Sequence, residues 1–289
     1  MFPFHRSARY PLPVTLSVVI ITYNEETGIG RALESVMPLV SGGQGEIIVV
    51  DSGSTDRTVE IAKSLGAKVY VEEWKGYAAQ KNSGIDKATG DWILSLDADE
   101  EVGNAARAFL VDFLFGALGS GFRNFDGGIA LNRRNHFLGR WIRHGGFYPD
   151  KKLRLFRRGA GDFEQRLVHE DVQLKLGKAL FDPSLHYSAQ GDTDLHLIHH
   201  SYPTLSDFID HMNRYSSLGA EARVAKEPRD FSAINIVVRP LATFVYNYCF
   251  RLGFLDGREG LLLHLYHAVY VSWKYAKAWE LSRLSREKS

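Results

Sequence analysis

Cysteine is nearly absent from this 289-residue chain, with Cys249 standing alone. A single thiol excludes an internal disulfide and any multi-cysteine zinc site, and it fits a reducing compartment. An excess of one charge is lacking too. The 35 Lys and Arg residues against 34 Asp and Glu leave a formal net charge of +1, which removes any overall bias toward nucleic acid. Long hydrophobic runs are also missing. The apolar stretch Val14–Ile21 is too short for a secretory signal and leads directly into the polar Thr22-Tyr23-Asn24-Glu25, so it is expected to be a strand. What is present is an ordinary folding composition, 45% hydrophobic and 24% charged, which excludes disorder throughout. The length exceeds the roughly 100–200 residues of a typical domain, so the chain holds one large domain or one domain with an appendage.

Charge is unevenly spread. Asn132–Arg158 carries nine basic residues and one acidic residue, Asp150, for a local net charge of +8. Such a segment in a neutral protein suggests contact with a specific anion, a phosphate or phospholipid, or else a solvated basic face.

Apolar runs and helix-period segments alternate. The β-branched run Leu16–Ile21 reads as a buried parallel strand. Ala32, Leu33 and Val36 follow at helical spacing, then the Gly42-Gly43 turn and a strand at Ile47–Val50. A second helix is expected over about Thr55–Leu65, capped by Ser54 or Thr55 and stopped at Gly66. Val69–Val71 is a third strand, Tyr77–Ala88 a third helix, and Trp92–Leu96 a fourth strand ending in Asp97-Ala98-Asp99-Glu100. This order predicts an α/β fold with an open, mostly parallel sheet covered by helices on both faces.

In such sheets ligands bind beyond the carboxyl ends of the strands. Asn24, Glu25 and Glu26, then Asp51, then Asp97 and Asp99 occupy those ends, so three strands deliver carboxylates to one edge. Gly28-Ile29-Gly30 imitates a dinucleotide loop, but Leu33 stands where the third glycine belongs and Glu25 and Glu26 would repel a pyrophosphate. His169-Glu170 likewise fails as a zinc-protease motif, because Gln173 occupies the place of the second histidine. Asp97 and Asp99, two apart on an extended backbone, project to one side and can share a hard cation, Mg2+ or Mn2+, bridging to a diphosphate. A cluster of unpaired carboxylates would repel itself without such a cation.

The segments Ser17–Glu25, Val49–Asp56 and Leu96–Glu100 strongly resemble the family 2 glycosyltransferases, whose fold is called GT-A. His144–Asp150, Leu153–Arg157, Val168-His169-Glu170 and Gly253–Gly257 extend the resemblance to the branch containing lipopolysaccharide-core β-1,4-glucosyltransferases. The resemblance implies that Thr22, Asn24 and Glu25 line a UDP-sugar donor and that Asp51 receives the uracil or its ribose. It implies that Asp97 and Asp99 handle ribose, metal and diphosphate, and that Lys81 and Asn82 approach the donor. It places the catalytic base at Glu170, with the neighbouring Asp171 as the alternative. His169 would orient that carboxylate, ligate the metal or bond locally. Asp150, with Trp141, His144, Phe147 and Tyr148, suits a sugar ring, and Arg154, Arg157 and Arg158 suit a diphosphate or a phosphorylated acceptor.

Beyond about Asp192 the pattern turns helical. The expected division is a catalytic domain over 1–195, with a nucleotide half at about 14–103 and an acceptor half at about 104–195, and a helical region over 196–289. Tyr266, Tyr270 and Trp273 share a helix face bordered or followed by Lys274, Lys277 and Arg283, and residues 274–289 carry a net charge of +3. That face suits an interfacial helix, a packing surface or a dimer contact. The combined expectation is an inverting, metal-dependent glycosyltransferase, peripheral on the cytoplasmic face of a bacterial inner membrane. It would move a hexose, glucose from UDP-glucose first, to a lipopolysaccharide-core or other lipid-linked glycan. A polyprenyl-phosphate transferase and a non-enzymatic sugar-nucleotide scaffold are the alternatives.

Overall fold

Strand β1 (Leu16–Thr22) is buried along all of its seven residues, which requires a sheet covered on both faces. The computed structural model describes residues 14–116, 125–164, 171–175, 179–181, 195–227 and 230–287. Within it, β1 pairs in parallel with β2 (Gly45–Asp51) and β4 (Trp92–Asp97), and β2 pairs in parallel with β3 (Lys68–Val71). Alternate β1 residues face opposite layers. Leu16, Val18 and Ile20 pack with Leu33 and Val36 of helix α1 (Ile29–Val40) and Phe109 of α4 (Asn104–Phe115). Val19 and Ile21 pack with Ala78 and Ile85 of α3 (Tyr77–Asp86).

Helix α2 (Thr58–Ser64) starts later than its sequence pattern suggests. The residues expected to cap it, Ser54 and Thr55, are engaged elsewhere: Ser54 Oγ accepts from the Asn24 N–H at 2.8 Å, and the Thr55 N–H donates to Asn24 Oδ1 at 2.8 Å. Asp56 instead receives the Thr58 N–H at 3.0 Å. Helix α3 is shorter than expected because its end tightens into three-residue bonds, Lys87 N–H to Gly84 O and Ala88 N–H to Ile85 O.

The sheet continues as β4-β8-β6-β12-β5, and this half is mixed. Strand β8 (Lys151–Arg157) runs antiparallel to both β4 and β6 (Gly127–Phe137). Strand β12 (His196–Tyr202) lies between β6 and β5 (Glu100–Val102). Short β7 (Arg140–Trp141) and β11 (Ala179–Phe181) flank β6, while β9 (Gly161–Phe163) and β10 (Val172–Leu174) form a separate ribbon. Strand β12 carries the sheet past the expected boundary at 195/196 to Tyr202, and helices begin only afterwards. The seven residues His196-Leu197-Ile198-His199-His200-Ser201-Tyr202 carry little strand-like alternation, so pairing with two neighbours decides their state.

Helix α5 (Leu205–Val224) opens with a capping box in which Thr204 and Asp207 satisfy each other's backbone N–H groups. Helix α6 (Arg239–Val245) is flanked by π-helical turns, Ile234–Val238 and Tyr246–Phe250, and α7 (Gly257–Glu287) ends the described chain. Phe137, Ile142, Phe208 and Leu263 form a third core that joins α5 and α7 to the sheet, with Tyr266 packed against it. Lys277 donates to Asn213, Ser216 and Ser217 of α5. Those contacts match the packing alternative for the tail, because Tyr266 packs on the third core and Lys277 bonds α5. The apolar surface left open lies instead on residues such as Ile234, Leu241 and Phe250, which are 69%, 62% and 75% exposed. Among the described residues no helix is long and apolar enough to cross a membrane.

Asp256, only 2% exposed, fastens the helical region to the sheet. It accepts the His144 N–H at 2.8 Å, the Arg143 N–H at 3.2 Å and a bond from His144 Nδ1 at 2.9 Å. Asp256→Ala would leave these donors without an acceptor, and each such loss costs about 1–3 kcal/mol. The expected outcome is a fall in unfolding free energy of about 3 kcal/mol, read from the urea midpoint. An unchanged midpoint would show that the helices are held by other contacts.

Candidate active site

The parallel register aligns the ends of three strands, with Thr22 opposite Asp51 and Ile21 opposite Asp97. After β1 the chain reverses through Asn24 at φ 54°, a left-handed conformation that asparagine tolerates better than most residues. The Asn24 side chain and the Thr55 backbone then tie the β1 loop to the β2 loop. Asp51 is wholly buried and uses its carboxylate to hold the next turn, accepting the Gly53 and Ser54 N–H groups at 2.9 and 2.8 Å. Its neighbour Ser52, not Asp51, lines the cavity at this edge. Asn82 is turned away likewise: its amide exchanges two hydrogen bonds with the Phe163 backbone, at 2.9 and 2.8 Å.

The carboxylates are not unpaired, because other elements bring cations to them. Lys81, 3% exposed on α3, places Nζ 2.8 Å from Asp97 Oδ1. Arg154, 4% exposed on β8, lies 2.8 Å from Asp97 Oδ2 and also bonds Glu100. Arg133 of β6 joins Glu100 at 3.2 Å to Asp150 at 2.8 Å. Burial alone would raise the Asp97 pKa, yet Lys81 and Arg154 hold it well below the ordinary value. Each Asp97 oxygen thus holds one cation, and the carboxylate, 27% exposed, also lines the cavity. Arg154 serves as the counter-ion of Asp97 and Glu100 at the cavity wall. Most of the basic segment is used in the same way. Arg134 and Arg143 stack on Trp141 at 4.0 and 4.1 Å, Arg157 covers Trp92 at 4.7 Å, and Arg158 donates to Gly90 O.

Asp99 differs. Its Oδ2 lies 3.1 Å from His199 Nε2, at the cavity wall. The Asn135 amide donates to Asp150 Oδ2 at 3.0 Å, which turns its Oδ1 toward His199 Nδ1 at 2.7 Å. Ser201 Oγ also lies 2.7 Å from Nδ1, so either ring nitrogen can carry the proton; with it on Nδ1, Nε2 and the Asp99 oxygen face each other as acceptors that a cation would join. A carboxylate oxygen and an imidazole nitrogen are the ligand types that would hold a divalent cation such as Mn2+ here. Among the described residues no group of three His, Cys, Asp or Glu side chains forms a complete cage. The remaining ligands would have to come from phosphate oxygens and water, as is usual for Mg2+ sites. For Asp99, burial pushes the pKa up, and His199 outweighs it to leave the group below its ordinary value.

These groups open onto a cavity of about 1660 Å³. Thr22, Asn24 and Glu25 form one side, and α5 and α7 supply Tyr215, Tyr270 and Lys274 on the other. Glu25 is pushed up to about 7 by burial and then by Asp99, Asp56 and Asp97. Asp150 lines the cavity between Arg133 and Asn135, and Asp171 lines it with Lys152 at 3.6 Å. Glu170 and His169 lie outside the described residues. His144 is placed elsewhere, bound to Asp256 in a separate pocket of about 330 Å³ beside Trp141. Sequence reasoning missed His199, Arg133 and the cavity arginines Arg31 and Arg214. Among the described residues neither Arg31 nor Arg214 has a carboxylate partner, and no motif marks them, since only the folded chain brings them to this cavity.

Comparison with known proteins agrees with this architecture. The family model described as glycosyl transferase family 2 matches residues 17–114. An uncharacterized glycosyltransferase of Rickettsia bellii is 30% identical over 274 residues, spanning 92% of this chain and 87% of that protein. The lipopolysaccharide core biosynthesis glycosyltransferase LpsC of Rhizobium meliloti is 28% identical over 276 residues, 92% of each chain. Among solved structures, glucosyl-3-phosphoglycerate synthase from Mycobacterium tuberculosis, with Mn2+, UDP and glucosyl-3-phosphoglycerate, is 27% identical. It overlaps 43% of this chain and 44% of that one at a TM-score of 0.34, too slight to bear on the ligands here. With aligned acidic strand ends, a cavity beyond them and relatives that match nearly end to end, the chain belongs to the family 2 glycosyltransferases and is a glycosyltransferase enzyme.

Proposed function

We propose that the enzyme is an inverting hexosyltransferase that takes a UDP-sugar, UDP-glucose first, and a divalent cation, Mg2+ or Mn2+. Its acceptor is a lipopolysaccharide-core or other lipid-linked glycan, met at the cytoplasmic surface of a membrane. The observation that carries the reading is the single cavity running from Thr22, Asn24, Glu25 and Asp99 to Asp171, Tyr215 and Lys274, which has room for a donor and an acceptor together. The lipopolysaccharide acceptor is supported by the full-length similarity to LpsC.

In this reading the nucleotide lies along Thr22 to Glu25 and the diphosphate meets Asp99 and His199. The bound cation supplies charge stabilisation for the leaving diphosphate. Arg31 and Arg214 add positive charge from two other elements. Asp97 serves indirectly, keeping Lys81 and Arg154 in place beneath the site. The acceptor hydroxyl attacks the anomeric carbon from the face opposite the diphosphate, and a carboxylate removes its proton. Glu170 and Asp171 are the candidates for that base. Asp171 is half exposed and faces the cavity beside Lys152. Trp74, Tyr77 and Phe163 offer aromatic faces to sugar rings.

Three outcomes test the reading. Asp99→Asn and His199→Ala should each abolish the Mn2+-dependent part of UDP binding in calorimetry, and affinity equal to wild type in both would remove the metal assignment. Glu170→Gln and Asp171→Asn should both bind UDP, but only the variant lacking the base should lose transfer, by roughly 10²-fold or more. Full transfer by both variants would place the base elsewhere.

The third outcome concerns Glu25. Its folded pKa of about 7 lies above the ordinary 4.5, so the fold favours the protonated form. The penalty is absent below the unfolded value, grows between the two, and is complete above about 7. Glu25→Gln should therefore raise Tm of the metal-free protein by a few degrees at about pH 8 and leave it nearly unchanged at about pH 4. Equal shifts at both pH values would show that the effect is not electrostatic.

A further inference from the structure

Where Lys274 lines the cavity, it and two further cations gather around one aromatic ring. Arg223 of α5 lies 4.5 Å from the centroid of Tyr275, and Lys274 lies 5.8 Å from the same ring and 5.2 Å from Tyr270. Arg239, at the start of α6, covers Tyr275 at 5.2 Å and donates to its hydroxyl. Among the described residues no carboxylate pairs with any of the three. Arg223 and Lys274 are partly buried and Arg239 is exposed, whereas Lys81, Arg133 and Arg154 each meet an acid. Lys274 lines the cavity itself, and its stem is packed so closely on Gly219 that a Cβ there would lie 3.0 Å from Lys274 Cδ. Three like charges held together by three separate helices repel one another, and the arrangement lacks an anion.

We propose that Arg223, Arg239 and Lys274 form a subsite for a phosphate group of the acceptor. The inference rests on the reading of the cavity as a donor and acceptor site, and it assigns the acceptor's chemical class: a glycan whose anion is delivered together with a lipid. The lipid follows from the neighbourhood of Arg239. Ile234, Val237, Val238 and Leu241 are all more than half exposed beside it, and Phe231–Leu255 contains two arginines and no carboxylate. An exposed apolar surface bearing only positive charge matches an anionic amphiphile. The depressed pKa of Lys274, caused by burial and then by Arg223 and Arg239, agrees with a site whose counter-charge comes from a ligand.

The test is calorimetric titration of the full chain, without metal, with inorganic phosphate and with dihexanoyl phosphatidic acid below its micellar concentration. Wild type should bind, and Arg223→Gln and Lys274→Gln should each weaken binding about tenfold or more, the usual loss for a charge-assisted hydrogen bond. Lys274→Arg should keep most of the affinity, and Arg258→Gln, exposed and outside the cluster, should match wild type. Tighter binding of the lipid than of phosphate supports delivery by a lipid. Equal binding supports the anion subsite but moves its source to a phosphorylated sugar. No binding to wild type, or equal binding by both Gln variants and wild type, overturns the proposal. A parallel UDP titration of the wild-type protein keeps the two readings apart. Binding of UDP without binding of either anion sinks the subsite alone, and the reverse sinks the donor assignment alone.

Discussion

The contact between Arg154 and the pair Asp97 and Glu100 sets the terms for everything around it. Removing a carboxylate or a guanidinium from water costs several kcal/mol per ion even after relaxation, so such groups persist inside only when their partners are placed accurately. Here the partners come from separate elements: Lys81 from α3, Arg154 from β8 and Arg133 from β6. Strand β8 can bring Arg154 to this point only because it runs antiparallel against β4, directly beside the strand that carries Asp97. The mixed half of the sheet is thus what allows the acidic ends of the parallel half to lie close together.

That neutralisation divides the acidic edge by role. Asp97 and Glu100 are spent on protein cations, and Asp51 is spent on a turn. Asp99 and Glu25 also line the cavity, one facing a histidine across 3.1 Å and the other raised to about 7. The buried network beneath them provides rigidity, since moving any one member would strand another.

The helical region contributes as much to the cavity as the sheet does. Asp256 and the Phe137, Ile142, Phe208 and Leu263 cluster dock α5 and α7 over the mixed strands. Docking brings Tyr215, Tyr270 and Lys274 of the helices to line one cavity with Asp99 of the sheet edge. The surface turned outward by the same region is apolar around α6, so the two sides of one helical layer differ in polarity.

The α/β order, the first four strands and the acidic strand ends were legible because they depend on local periodicity and on motifs of contiguous residues. Alternation of Val18 and Ile20 against Val19 and Ile21 assigns two faces before any partner is known. Membership of the glycosyltransferase family was legible for the same reason, its motifs being short and contiguous. Strand β12 was not, because His196–Tyr202 gains its state from pairing with β5 and β6. Nor could spacing tell that Lys81 is buried on Asp97, that Asn82 serves the Phe163 backbone, or that His199 meets Asp99 across 100 residues of chain. The sequence by itself determined which residues were available at the strand ends. Tertiary structure decided which of them were neutralised and which were left facing the cavity, because a carboxylate's chemistry depends on the charges and solvent around it, and those arrive from distant parts of the chain.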